Sequence, residues 1–89
     1  MHPEDTSPDA SALALRALAW TLSAPDRARR LLDVTGLDPA DLRARAGEPA
    51  MLAAVLGFLE MHEPDLVAVA EEMSLPPQEL VAARSALEQ

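Results

Sequence analysis

Seven of the eight prolines in this 89-residue chain occupy six sites, Pro8, Pro25, Pro39, Pro49, Pro64 and the pair Pro76-Pro77, spaced 10 to 17 residues apart. Proline lacks an amide hydrogen and has a fixed φ. It therefore fits the first turn of a helix and drives the residue before it out of the α region. No regular element can run far past such a site, and each one marks a helix start. Ser23, Asp38 and Ser74 stand just ahead of three of them, with side-chain oxygens able to accept from the free amides of a first turn. Gly36 and Gly47 supply matching stops. The pattern predicts helices over 10–22, 25–35, 39–46, 49–61, 64–73 and 76–88.

Side-chain content selects helix over strand. There are 18 Ala and 15 Leu but only five Val and no Ile, a bias toward strong helix formers and away from β-branched residues. A chain of this length builds one core. The expectation is an all-α bundle of five to six short helices, a single domain over 10–89 after a disordered tail over 1–9.

In the first predicted helix, Leu15, Leu18 and Leu22 share a stripe with Leu13 and Trp20 beside it, the spacing of a core-facing surface, while Arg16 and Thr21 lie away from it. The fourth, over 49–61, is apolar around its whole circumference and belongs at the centre of the bundle. The chain also resembles itself. Leu18 to Trp20 matches Leu56 to Phe58, Pro25-Asp26 matches Pro64-Asp65, and the stretch 35–42 resembles 74–80, at offsets of 38 to 39 residues. Duplication implies two tandem three-helix units whose first helices meet near a pseudo-twofold axis. Chance similarity in an Ala/Leu-rich chain is the alternative.

Residues 66–87 carry a helix-turn-helix pattern: Ala70, Met73, Ser74, Leu75, Pro76 and Leu80 fall where DNA-binding versions place a small residue, an apolar residue, a turn, an apolar residue, a cap and an inward apolar residue. Charge opposes that use. The chain has 7 Arg, no Lys and 15 acids, a net −8, and the last predicted helix offers phosphates Arg84 against Glu79 and Glu88. A structural helix pair is the favoured reading, with a DNA-binding helix-turn-helix protein as the alternative.

Five arginines cluster at Arg27, Arg29, Arg30, Arg43 and Arg45. Of these, Arg27, Arg30, Arg43 and Arg45 form a candidate docking patch for an acidic partner. Against it stand the i,i+4 pairs Asp26 with Arg30, Arg29 with Asp33, and Asp41 with Arg45, which read as ordinary solvated ion pairs. Residues 25–48 hold five arginines and five acids.

Nothing in the chain points to catalysis or to a cofactor. There is no Cys or Lys, the five serines sit in the tail or near helix ends, no Gly-x-Ser-x-Gly elbow is present, and three glycines form no phosphate loop. His62, among Glu60, Glu63 and Asp65, lacks the second ligand and spacing of a metal site and reads as a solvated loop residue. Met51, Met61 and Met73 read as gap fillers, with an adaptable binding surface as the other use of thioether side chains. The first ten residues carry three acids and no apolar run, and the longest apolar stretch, 50–59, is too short to span a bilayer. A cytoplasmic location follows as the expectation.

The segment Thr-Gly-Leu-Asp-Pro-Ala-Asp-Leu-Arg at 35–43, followed by Gly-Glu-Pro-Ala-Met-Leu-Ala-Ala-Val-Leu at 47–56 and Leu-Pro-Pro-Gln-Glu-Leu-Val-Ala-Ala-Arg at 75–84, resembles the domain-of-unknown-function family 3572, a group of small bacterial proteins. The resemblance runs from about residue 12 to 87. It implies an all-helical cytoplasmic protein and carries no activity or site residue with it. By elimination, the expected role is a non-catalytic protein-interaction or regulatory module without cofactor or metal. It would act as a monomer or weak homodimer on a protein partner, away from membranes and nucleic acid.

Overall fold

Each helix carries a proline within its first three residues. The computed structural model describes residues 6–89, with side chains from Ala10 onward. It contains α1 (Thr6–Leu22), α2 (Pro25–Thr35), α3 (Pro39–Arg45), α4 (Pro49–Glu60), α5 (Glu63–Glu72) and α6 (Pro77–Leu87), and no strand among the described residues. The largest departure from the expected boundaries is at α1, which begins at Thr6 rather than at 10. Pro8 is its third residue, where the amide has no intrahelical acceptor to lose. The expected tail over 1–9 is thus helical from Thr6 onward, and residues 1–5 lie outside the described residues.

Of the three expected caps only Asp38 acts as one, its Oδ1 accepting from the Asp41 amide at 2.8 Å. The Ser23 hydroxyl instead turns back and donates to the Trp20 carbonyl at 2.6 Å, closing α1 rather than opening α2. Ser74 closes α5. It adopts a left-handed φ of 58°, with its own amide donating to Glu71 O at 3.0 Å and the Leu75 amide to Ala70 O at 2.9 Å. Gly36, at φ 74°, ends α2 by donating to Leu32 O. Gly47 makes no such left-handed stop, because α3 already ends at Ala46 in an ordinary right-handed conformation.

As expected, α4 is central, with Met51, Leu52, Ala53, Val55, Leu56, Phe58 and Leu59 buried and with α1, α2, α5 and α6 packed around it. The predicted core stripe of α1 is corrected. Leu18 is buried, but Leu15 and Leu22 are each 42% exposed, and the packed face is Ala10, Ala14, Ala17, Leu18 and Thr21. This face meets both α4 and α6, and its alanines let the three helices come close together, where a row of leucines would hold them apart. Buried Thr21 satisfies its hydroxyl locally by donating to Ala17 O at 2.8 Å.

The two halves share their element order but not their packing. Helices α1 and α2 pair much as α4 and α5 do, and α1 meets α4. The third helices break the pseudo-twofold: α6 lies tightly against both α1 and α4, whereas α3 is the most loosely held helix and buries a single side chain, Leu42.

Candidate functional site

The four arginines of the expected docking patch do not form one free surface. Three are engaged within the chain. Arg27 folds onto Trp20, donating through Nη2 to the Trp20 carbonyl at 2.6 Å and to Ser23 Oγ at 3.0 Å. Arg30 pairs across the fold with Asp65 of α5 at 2.8 Å, and Arg45 pairs with Glu48 at 3.0 Å. None of the three expected i,i+4 pairs forms. Tertiary folding brings Asp65 to Arg30, whereas Arg45 takes Glu48, a sequence neighbour three residues on at the α3–α4 turn; solvated local pairs differ too little in energy for spacing alone to choose between them. Arg43 makes no ion pair with a described residue.

Residues 66–87, which carry the expected pattern, lie in α5, a turn at Ser74 and α6. On α6 the only cation, Arg84, is already held by Glu60 of α4 and by Glu88 at 2.8 Å. Its guanidinium pKa is raised above arginine's ordinary value, first by the hydrogen bond to Glu60 and then by the bond to Glu88. Arg84 therefore carries its charge as a clamp between α4 and α6.

His62 is exposed and ends the α4–α5 turn, its carbonyl accepting from the Asp65 and Leu66 amides. No group of three or more metal-ligating side chains occurs among the described residues. Nor, among them, is any helix long and apolar enough to cross a membrane. The methionines divide: Met51 and Met73 fill the core, while Met61 is 78% exposed.

Met61 marks the feature that sequence reasoning missed. The apolar circumference of α4 predicts burial on several sides, yet of Ala50, Ala54, Gly57 and Met61, at i, i+4, i+7 and i+11 along one face, Ala50, Ala54 and Met61 are exposed and Gly57 is half-buried. That face is the floor of a groove of about 470 Å³, walled by Val34 and Leu37 on one side and bordered by Arg45. Val34, 57% exposed, and Met61 stand open at its edge. The available signal was the collection of small residues on one stripe of an otherwise bulky helix. The groove exists because α3 does not cover α4 as α6 does.

A family model described as "Protein of unknown function (DUF3572)" matches residues 7–89. No curated protein and no solved structure matches the chain.

Proposed function

We propose that this chain, which belongs to the DUF3572 family, is a non-catalytic protein-interaction or regulatory module that receives the apolar face of a partner helix in the groove between α2 and α4. One observation carries the reading. A central helix leaves Ala50 and Ala54 exposed and Gly57 half-buried along one stripe, flanked by exposed Val34 and Met61. Small residues on the floor let a second helix approach closely, and the flanking Val and Met supply apolar area that adapts to its side chains. We place the module in the cytoplasm, acting as a monomer or weak homodimer and without a cofactor.

The test is recovery of partners from native lysate by tagged protein, under gentle low-salt washing, for the wild type and for Ala54→Arg. Ala54 is exposed, so the variant keeps the melting temperature while a long charged side chain occupies the floor. The expected result is a reproducible partner with wild type that is lost with Ala54→Arg. Recovery of the bait alone, or equal recovery by both proteins, would sink the proposal. The rival, a DNA-binding helix-turn-helix protein, draws on the left-handed Ser74 turn between α5 and α6. It lacks a cation on α6 other than the clamped Arg84.

A further inference from the structure

A second groove, of about 340 Å³, lies on the other side of α3 and is formed by α1, α2 and α3. Its walls are short apolar rows. Leu18 and Leu22 come from successive turns of α1, Leu32 comes from α2, and Leu42 comes from the inner face of α3. The one charged residue lining it is Arg43, a turn along α3 from Pro39 and Ala46, which also face it. Arg45 lines the α2–α4 groove instead, so α3 separates two distinct sites.

We propose that this groove binds a small amphiphilic anion, a medium-chain carboxylate whose tail lies along Leu18, Leu22, Leu32 and Leu42 and whose head group is held by Arg43. Three observations lead there. Arg43 has no carboxylate of a described residue within ion-pair distance, unlike Arg30, Arg45 and Arg84, and it is the arginine that lines this groove. A planar guanidinium with free donors is the natural receptor for a carboxylate. Leu22 is left 42% exposed at the groove, apolar surface that an alkyl chain would remove from water.

The third observation is length. The seven residues of α3 give a wall of about 10 Å, which suits an extended chain of about eight carbons and is too short to seat several turns of a partner helix. Loose packing of α3 leaves this wall free to adjust around the tail. The volume also lies within the range of small-molecule sites.

The experiment titrates the full chain, labelled for amide NMR, with sodium octanoate, octan-1-ol or octyltrimethylammonium, each below its micelle threshold. Octanoate should cause saturable shifts concentrated in residues 18–22, 28–32 and 39–46. Octan-1-ol should bind at least about ten-fold more weakly, and octyltrimethylammonium more weakly still, since a charge-assisted bond to Arg43 is worth that factor. Arg43→Gln should reduce octanoate to the level of octan-1-ol while leaving the alcohol unchanged. Ala28→Leu, which fills the groove, should abolish both while the spectrum stays dispersed. Absence of saturable shifts, shifts centred elsewhere, or equal affinity for the three head groups would each overturn the proposal. So would an Arg43→Gln protein that binds octanoate as the wild type does.

Discussion

The guanidinium carbon of Arg27 lies 3.6 Å from the centroid of the Trp20 ring. The same group donates to the Trp20 carbonyl at 2.6 Å, so one side chain both stacks on the ring and closes the end of α1. Its Nε is buried without a partner, a cost the other contacts must offset. The contact ties the start of α2 to the end of α1 across the two-residue linker Ser23-Ala24.

Arg27→Ala should therefore lower stability by about 1–2 kcal/mol, from lost cation–π attraction and a lost charge-assisted hydrogen bond. For a domain of this size that corresponds to a fall in Tm of about 4–8 °C per kcal/mol. Trp20 is the only tryptophan, so its near-ultraviolet circular dichroism should weaken in parallel. Arg27→Lys keeps the charge but loses the planar fork and should recover only part of the loss. Unchanged melting in both variants would refute this account of the linker.

Leu56 is fully buried at the middle of α4. Leu56→Asp places an unpaired carboxylate there, and a domain this small has only a few kcal/mol to lose, so the protein should be unfolded at 25 °C. Retention of a helical spectrum with wild-type melting would contradict the central position of α4.

Gly36 and Ser74 both end helices in the left-handed region, yet only one of them is glycine. Substitutions should move stability in opposite directions. Gly36→Ala meets no neighbouring atom within 4 Å, so its cost is backbone strain alone, about 1–2 kcal/mol. Ser74→Gly relieves that strain at the cost of a more flexible unfolded chain, and should raise Tm by a few degrees. Thermal melts of the two single variants give the signs directly.

Arg84 bridges Glu60 and Glu88, and the raised guanidinium pKa means the folded state favours the protonated form. That contribution is fully present below arginine's ordinary value and disappears only as pH rises through the raised one. It should add no slope to stability between about pH 6 and about pH 10. With this cation occupied, the protein should not retard duplex DNA at micromolar concentration in about 50 mM salt, conditions under which nonspecific binders associate. Salt-dependent retardation abolished by Arg84→Ala would make the helix-turn-helix reading the leading one. Abolition by Arg43→Ala would point to the first half instead.

What could be read without tertiary structure was whatever neighbouring residues decide among themselves. Proline geometry acts within one turn, so the starts at Pro25, Pro39 and Pro49 were legible to the residue, as was the Asp38 cap. The apolar density of α4 marked it as the centre because no soluble arrangement leaves such a helix outside. The Ala-rich contact face of α1 was hidden because alanine contributes closeness rather than bulk, and closeness is a property of two helices together.

The arginines show the same division at larger separation. Arg30 pairs with Asp65, 35 residues away, and not with the adjacent turn's Asp26, and Arg84 adds Glu60, 24 residues back, to its local partner Glu88, because the fold presents those distant carboxylates and water leaves local pairs weak. Whether Ala50, Ala54 and Gly57 are buried depends on a third helix being laid over them. The chain's own repeat suggested that α3 and α6 would cover equivalent surfaces, and only tertiary packing set them apart. Covering a face requires apolar side chains on both partners at matching height. α6 brings Leu80, Ala83 and Leu87 to the core, whereas α3 brings Leu42 alone, so the groove on α4 stays open.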